Sequence, residues 1–236
     1  MRMGILQCDD VAAELQAEFG SYPEMIESRL SNAETDCEFV TYRAIDGIFP
    51  QSVDECDGYI ATGSRYGVND NLPWIDKLET FVVSLAEKKK KYVGICFGHQ
   101  ILAAALGGEV KASDHGWTVG ITKNRIDVEK AWMDPALKSL KLVACHQDQV
   151  CKIPQGVEVL ASSGSCPYYM LQYGCHMMSI QGHPEFSKAF VNALLDGALD
   201  DIPASRIRDG KASLAEDADD LLFMRWIANF VTDGLA

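Results

Sequence analysis

Cys96 lies in a segment whose composition could activate a thiol. An apolar run that begins at Val93 stops at this cysteine, and a helix-forming stretch, Ile101 to Leu106, follows at once. Gly94 and Gly98 flank the cysteine where a sharp strand-to-helix turn has no room for side chains. This pattern predicts a nucleophile elbow that presents the sulfur to solvent, near unpaired N–H groups at a helix start that favour the thiolate. The alternative is that Cys96 ends a buried strand, because free cysteine is among the most buried residue types.

His183 is the histidine whose surroundings best suit a general base. It follows the strand-like segment Met178 to Gln181, and Pro184 restricts it to an extended backbone. Glu185 lies two positions on, which puts both side chains on the same side of an extended segment. A carboxylate there would orient the imidazole and stabilise the imidazolium, as in a catalytic triad. The alternative is a surface histidine beside a glutamate at a helix N-terminus.

The elements that must position these residues alternate in the first half of the chain. Strands are predicted where apolar runs are continuous, and helices where apolar residues recur at helical spacing. The predicted strands are Met3 to Cys8, Cys37 to Tyr42, Asp57 to Thr62 and Tyr92 to Cys96, and the helices run from Pro23 to Leu30 and from Pro73 to Lys89. This alternation predicts a parallel sheet whose strand carboxyl ends form the ligand crevice. Gly63, Ser64 and Cys96 all fall at such ends.

The second half of the chain has a different pattern of short strands, which is typical of antiparallel or mixed additions to a sheet. These strands are Val119 to Thr122, Leu140 to Cys145, Val157 to Ala161, Met170 to Tyr173 and Met177 to Gln181. An apolar stripe predicts a helix from Phe186 to Ala198, a turn-rich segment covers Asp200 to Gly210, and a final helix runs from about Leu214 to Phe230. The fold class is therefore α/β, with a mostly parallel central sheet, flanking helices, additional mixed or antiparallel strands and a C-terminal helix.

Length and charge limit the classes of protein to consider. The 236 residues suit a single α/β domain, 1–236, with a core at about 1–200 and a C-terminal helical extension at about 201–236. The chain has 34 acidic and 21 basic residues and a formal net charge of −13, which argues against a nucleic-acid partner. The basic run Lys88 to Lys91 is interpreted as a solvated helix C-terminus.

The remaining composition predicts a cytoplasmic protein without a cofactor or a metal. The N-terminal apolar run is too short for a signal peptide, and no stretch reaches the length of a membrane span. A reducing compartment would keep the eight cysteines as thiols, and no Cys-x-x-Cys pair offers zinc-ligand spacing. We therefore expect no disulfide, no structural zinc and no membrane contact. There is also no Walker loop or other nucleotide motif.

Two segments together carry a family resemblance. The elbow from Gly94 to Gln100 and the segment from Gln181 to Glu185 resemble, in sequence, order and separation, the class I glutamine amidotransferases, over about residues 1 to 200. The resemblance implies a flavodoxin-like sheet and a cysteine that attacks the side-chain amide of glutamine, forming a γ-glutamyl thioester and releasing ammonia. By position, Cys96 would be the nucleophile, His183 the base and acid, and Glu185 the orienting carboxylate.

The resemblance also implies an oxyanion hole and a substrate pocket. The N–H groups of Phe97 and Gly63 would stabilise the oxyanion of the tetrahedral intermediate. Where most biosynthetic members carry Gly-Gly-Pro, this chain has Thr62 to Tyr66, which looks more like the γ-glutamyl peptidase branch of the superfamily. The residues that correspond to segments lining the glutamine pocket are Gln100, Gln147 and Asp148.

Other residues with suitable chemistry receive structural interpretations. His99, on the opening turn of the helix, is interpreted as a structural or pocket histidine. His146 and Asp148 could pair as a second dyad, but their position indicates a scaffold for the substrate loop. Cys145 and Cys151 are interpreted as core thiols.

The leading functional hypothesis is an enzyme that hydrolyses a γ-glutamyl amide, either glutamine or a γ-glutamyl peptide, without a cofactor. No acceptor domain is recognisable in the chain, so the alternative is an ammonia-donating glutaminase subunit of a separate synthase partner. A third hypothesis is a non-catalytic binding protein on the same fold, and a fourth is a proteinase-like or stress-response relative, which would not require the segment from His183 to Glu185.

Overall fold

A nine-stranded sheet with helices on both faces forms the frame of the protein. The computed structural model describes residues 1–33, 37–197 and 202–233. The strands are β1 (Arg2–Leu6), β2 (Glu38–Tyr42), β3 (Gly58–Ala61), β4 (Lys91–Ile95), β5 (Glu109–Ala112), β6 (Thr118–Ile126), β7 (Ser139–His146), β8 (Asp148–Lys152), β9 (Val157–Ser162), β10 (Met170–Tyr173) and β11 (Met177–Ile180). The α-helices are α1 (Ala13–Phe19), α2 (Tyr22–Ser31), α3 (Pro73–Glu87), α4 (Phe97–Ala105), α5 (Lys188–Asp196), α6 (Ala204–Ser213) and α7 (Asp220–Thr232).

The strand order of the sheet is β2-β1-β3-β4-β11-β10-β9-β6-β7, and it divides into a parallel and an antiparallel half. The first five strands in this order pair in parallel, and the last four pair antiparallel. The predicted fold class is confirmed. Every residue of β3 and of β11 is buried, as expected of inner parallel strands covered on both faces, whereas the edge strand β2 is partly exposed.

One strand of the antiparallel half, β7, contacts the segment that follows the carboxyl end of β11. The backbone N–H of His183 donates to the carbonyl oxygen of Val143 in β7 at 2.8 Å, although β7 is the last strand in the sheet order. This bridge holds the backbone of His183 against a strand from the opposite half of the sheet. The position of the imidazole is therefore set by tertiary contacts as well as by its own strand.

The strands and helices predicted in the first half of the chain are confirmed to within a few residues, whereas three segments of the second half differ from prediction. The segment from Asp200 to Gly210 was predicted as turns, but its described part contains most of α6. The final helix begins at Asp220 and not near Leu214. The loop after β7 is short, because residues from Asp148 onward form β8, which pairs with β5 in a separate two-stranded sheet. Ala198, the predicted end of α5, lies outside the described residues.

The helix α6 forms because tertiary contacts compensate for its polar sequence. The hydroxyl of Ser213 accepts a hydrogen bond from the N–H of Ile121 at 2.8 Å. A side chain at Gly210 would come within 2.8 Å of the side chain of Val119, so glycine lets the helix approach β6 closely. Among the helices in the described ranges, none combines the length and apolar character needed to cross a membrane.

Candidate functional site

Cys96 occupies a strained turn between β4 and α4. Its φ of 50° is uncommon for a residue other than glycine. The flanking glycines allow the turn: a side chain at Gly94 would collide with the carbonyl oxygen of Gly98, and one at Gly98 would lie 2.6 Å from that of Ala61. The N–H of Cys96 donates to the carbonyl oxygen of Ile180 in β11 at 2.8 Å. The sharp turn that the glycine spacing predicts is therefore present.

The predicted exposure of the sulfur to solvent is wrong. Cys96 is only 5% exposed and packs in the same apolar cluster as Ile180, Tyr169 and Cys166. Ile180 ends β11, the strand next to β4, and Cys166 and Tyr169 lie between β9 and β10 in the antiparallel half of the sheet. Because they are distant in sequence, the spacing of the glycines around Cys96 carried no information about them.

His183 and Glu185 form a buried pair beside Cys96. Their side chains are 4% and 1% exposed, and Nδ1 of His183 lies 2.7 Å from Oε1 of Glu185. Cys96 is close enough to the imidazole to interact with it electrostatically. Burial lowers the pKa of His183, but Cys96 and Glu185 raise it more strongly, and the result is a pKa of about 10. The three residues therefore lie together in an arrangement that favours the protonated imidazole of His183.

Aromatic packing fixes the plane of the imidazole. The ring of Phe186 stacks on that of His183 with centroids 4.1 Å apart and planes 6° from parallel. Tyr22 also stacks on Phe186, with centroids 5.8 Å apart. The sequence pattern assigned Phe186 to a helix stripe, but this residue precedes α5.

The Gly63 loop approaches Cys96 and His183 from the end of β3. A side chain at Gly63 would lie 2.8 Å from Cε1 of His183 and 3.8 Å from Cβ of Cys96, so only glycine fits without a shift. The buried hydroxyl of Thr62 accepts from the N–H of Cys8 and donates to the carbonyl oxygen of Gly63, both at 2.9 Å. Phe97 supplies a backbone N–H beside the sulfur, since the first N–H groups of a helix lack partners within the helix. Gly63 and Phe97, the two residues predicted to supply oxyanion donors, therefore both lie beside Cys96.

The three residues predicted to line the substrate pocket occupy different environments. Gln100 is 4% exposed, and its Nε2 donates to the carbonyl oxygen of Asp148 at 2.8 Å and to Oε1 of Gln181 at 3.3 Å. Gln147 is exposed at the turn between β7 and β8. The Asp148 carboxyl has a raised pKa because of partial burial and the nearby charge of Asp70. Gln100 thus braces this turn from within the protein.

His99 and His146 are held neutral by burial. Nδ1 of His99 lies 2.9 Å from the hydroxyl of Ser179, and burial lowers the pKa of this histidine to about 3. Nδ1 of His146 lies 3.1 Å from the backbone oxygen of Asp148, and burial lowers its pKa to about 4. The bond of His146 is to the backbone and not to the Asp148 carboxylate, so the two side chains form no dyad here.

Cys151, which is predicted to be a core thiol, is exposed on β8 of the two-stranded sheet, whereas Cys145 is partly buried. Within residues 1–33, 37–197 and 202–233, no cluster of three or more His, Cys, Asp or Glu side chains could hold a metal ion.

Gln181 is the residue at the site to which the sequence pattern assigned no role. It is 0% exposed, and its Nε2 donates to Sγ of Cys96 at 3.5 Å. It lies two residues before His183, as Glu185 lies two residues after it. The same spacing argument that linked the histidine and the glutamate therefore applies to Gln181.

A buried cysteine at a strand-to-helix elbow, beside a His–Glu pair on a mostly parallel sheet, defines a class of α/β proteins built for thiol chemistry. The family is shown by sequence: the family model described as glutamine amidotransferase class-I matches residues 16–192. This chain belongs to the class I glutamine amidotransferase family.

Individual relatives lie in two branches of that family. The chain is 34% identical to "Gamma-glutamyl peptidase 3" of Arabidopsis thaliana over 201 residues, which cover 80% of this chain and 81% of that protein. It is 30% identical to one subunit of the glutamine-hydrolysing GMP synthase of Methanocaldococcus jannaschii over 136 residues, 57% of this chain and 68% of that relative. A crystal structure of a glutamine amidotransferase from Thermotoga maritima has the same fold, with a TM-score of 0.79 and 16% identity over 99% of both chains.

Proposed function

We propose that this protein hydrolyses a γ-glutamyl amide bond, in glutamine or in a γ-glutamyl peptide, with Cys96 as the nucleophile. The observation that carries the proposal is the position of His183, whose Nδ1 lies 2.7 Å from the buried Glu185 carboxylate and whose imidazole interacts electrostatically with Cys96. The similarity to a γ-glutamyl peptidase along most of both chains supports the hydrolytic form of the reaction.

The first half-reaction forms a thioester. His183 holds the proton of the thiol, and the Cys96 thiolate attacks the γ-carbonyl carbon, so that the carbonyl π electrons move to oxygen. The N–H groups of Phe97 and Gly63 stabilise this oxyanion. As the intermediate collapses, the carbon–nitrogen bond breaks and the leaving nitrogen takes the proton from the imidazolium. Glu185 keeps the imidazole in the orientation that both transfers require.

The second half-reaction returns the enzyme to its resting state. Neutral His183 takes a proton from water, whose oxygen attacks the thioester carbonyl. The carbon–sulfur bond then breaks, which releases a γ-carboxylic acid and restores the thiolate–imidazolium pair, and the acid gives its proton to solvent. Burial of the site limits free solvent around the pair and strengthens each electrostatic contact.

The carboxylates beside the β7–β8 turn suit the free amino group of a γ-glutamyl substrate. Asp148 lies close to the Gly67 turn, where the N–H of Gly67 donates to the Asp70 carboxylate at 2.8 Å. Partial burial and the charge of Asp70 raise the pKa of the Asp148 carboxyl. A cationic group bound beside the two carboxylates would therefore be stabilised by both. We assign Gln147 and Asp148 to the binding of the γ-glutamyl portion, with Gln100 as their support.

The second candidate function is the donation of ammonia to a separate synthase. The similarity to part of a GMP synthase favours it, because that relative is named as one component of a larger glutamine-hydrolysing enzyme. The two functions share the thioester chemistry and differ in whether the chain turns over without a partner.

A substrate screen by mass spectrometry tests the proposal. Purified protein is incubated with glutamine, glutathione and a set of γ-glutamyl dipeptides, and release of glutamate and of the leaving amine is followed. We expect turnover of at least one compound by the chain alone and none above background by Cys96→Ser. Cys151→Ser is the matched control, since Cys151 is an exposed thiol on a different sheet, and it should retain wild-type activity.

The other outcomes are equally informative. Turnover that appears only after a co-purified synthase is added would replace the hydrolase with the ammonia-donor hypothesis. Tight binding of a γ-glutamyl compound without any turnover would favour a binding protein. Full activity in Cys96→Ser would remove Cys96 from the reaction.

A further inference from the structure

A chain of carboxamides connects the sulfur of Cys96 to the turn between β7 and β8. Nε2 of Gln181 donates to Sγ of Cys96 at 3.5 Å, and Oε1 of Gln181 accepts from Nε2 of Gln100 at 3.3 Å. Gln100 in turn donates to the backbone oxygen of Asp148 at 2.8 Å. Both carboxamides and the backbone oxygen are neutral, so the chain places a donor on the sulfur without adding a charge to the site.

The chain of hydrogen bonds also decides which way the Gln181 amide faces. The two ends of a carboxamide have nearly the same shape, so its orientation follows from its partners. Gln100 offers an N–H to Gln181, and only the oxygen end of Gln181 can accept it. The N–H end must then face Cys96. The backbone N–H of Gln181 donates to the carbonyl oxygen of Tyr169 at 2.9 Å, which fixes the start of the side chain.

Several groups around the sulfur influence its charge. The imidazole of His183, the phenol of Tyr169 and the thiols of Cys145 and Cys166 all interact with it electrostatically. Burial raises the pKa of each of those two thiols to about 12 and that of the Tyr169 phenol further, so the three groups stay uncharged at neutral pH. His183 supplies the positive charge, and Gln181 supplies a neutral donor from the strand side.

We propose that Gln181 is a catalytic residue whose amide N–H stabilises the Cys96 thiolate, before attack on the substrate and again when sulfur leaves the thioester. The second of these roles rests on the proposed hydrolytic function, whereas the first can be tested without any substrate. A hydrogen bond to a charged group is about twice as strong as one between neutral groups, so the bond is weaker while the sulfur is part of the thioester. Gln181 therefore favours the states in which sulfur carries the charge.

The test measures the pH dependence of Cys96 alkylation by iodoacetamide, followed at the peptide level by mass spectrometry. Only the thiolate reacts, so the pH of half-maximal rate reports how strongly the site favours the anion. In Gln181→Met, which keeps the side-chain length but has no N–H, we expect this pH to rise by about one unit or more. The exposed Cys151 serves as an internal reference whose profile should not move.

Gln172→Met is the matched control for removing a buried carboxamide. Gln172 is 8% exposed on β10, and its Nε2 donates to the carbonyl oxygen of Gly174 at 2.7 Å, at the far end of β11 from Cys96. It should lose some thermal stability and leave the Cys96 profile unchanged. A structural role for Gln181 would produce the same result as this control.

Two further measurements make the test decisive. Gln181→Glu preserves the shape and places an acid next to the sulfur, so it should shift the Cys96 profile at least as far as Gln181→Met, even if the methionine variant folds poorly. Superimposed Cys96 profiles in wild type and Gln181→Glu would overturn the proposal. If the profiles shift while the wild type hydrolyses no γ-glutamyl compound, the thiolate contact stands and the proposed function fails. If the wild type hydrolyses such a compound and the profiles do not shift, the proposed function stands and the role of Gln181 fails.

Discussion

His183 holds a positive charge in the protein interior because its two partners outweigh its burial. Removal from water favours the neutral imidazole and lowers its pKa, as it does for His146 and His99. His183 differs from them because the Glu185 carboxylate and the Cys96 thiol both favour the imidazolium, and its pKa rises to about 10. Three histidines at similar depth thus have different charges at neutral pH, and of these three His183 is the one that interacts with Cys96.

The first prediction concerns the titration of His183. Because its pKa is raised, the imidazolium should persist through neutral pH and lose its proton only near pH 10. Glu185→Gln removes one of the two interactions that raise the pKa of His183, whereas the burial that lowers it remains. The titration midpoint of His183 should therefore move to lower pH. Titration of the imidazole Cε1–H signals by NMR measures the shift, and His146 should stay neutral above pH 4 in both proteins.

The same substitution should lower turnover by about two powers of ten, since the imidazole loses its orienting charge while the fold is kept. An unchanged His183 midpoint together with full activity would remove Glu185 from the proposed triad.

At the scale of elements, the site depends on how closely α4 approaches β3 and β4. Gly98 lies against the backbone of Ala61 at the end of β3, which leads directly into Thr62 and Gly63. The contact brings the start of α4, with Cys96 and Phe97, next to the Gly63 loop. The glycine spacing in the elbow therefore sets the distance between the two proposed oxyanion donors as well as the turn itself.

The second prediction is that Gly98→Ala destabilises the protein by about 1–3 kcal/mol. Alanine is the better helix former by about 1 kcal/mol, but its Cβ would lie 2.6 Å from the carbonyl oxygen of Ala61, and backbone cannot move aside as a side chain can. We expect the destabilisation from this collision to exceed the gain in helix propensity. Gly164→Ala is the matched control, because nothing lies within 4 Å of a side chain at that position.

Urea unfolding measures both variants, and the control should lie within about 0.5 kcal/mol of wild type. Equal stability of Gly98→Ala and Gly164→Ala would mean that α4 can move away from β3 at no cost, and the close approach would then not be a constraint on the site.

At the scale of the whole molecule, α7 belongs to the main apolar cluster. Phe223, Trp226 and Ile227 pack in the same cluster as Met3 of β1 and Val93 of β4. Nε1 of Trp226 donates to the carbonyl oxygen of Pro135 at 3.0 Å, which satisfies the polar atom of a fully buried side chain. The helix thus covers the sheet face beneath the strands that carry the site.

The third prediction follows from this packing. Trp226→Ala removes a fully buried indole and its hydrogen bond, and we expect a loss of about 3–5 kcal/mol in the free energy of unfolding. Leu221→Ala on the same helix should change it by about 0.5 kcal/mol or less, since Leu221 is 56% exposed. Urea unfolding of both variants measures the difference. A loss below about 1 kcal/mol for Trp226→Ala would contradict a core role for α7.

The sequence by itself determined the elements whose causes are local. Continuous apolar runs identified β1, β3 and β4, the glycines on each side of Cys96 identified the turn, and the two-residue spacing placed His183 and Glu185 on one side of the chain. Each of these features depends on backbone sterics or on side-chain alternation over a few residues, and both can be read from the sequence.

Only the tertiary structure decided what depends on partners far away in the chain. The polar segment that forms α6 is helical because Ser213 and Gly210 meet β6, and the short strands β5 and β8 exist because they pair with each other. Cys96 is buried by Ile180, Tyr169 and Cys166, which lie far along the chain from it, and the Gln181 amide faces its sulfur because Gln100 occupies the other end. In each case the free energy comes from a contact between segments separated by many residues, to which local spacing is insensitive.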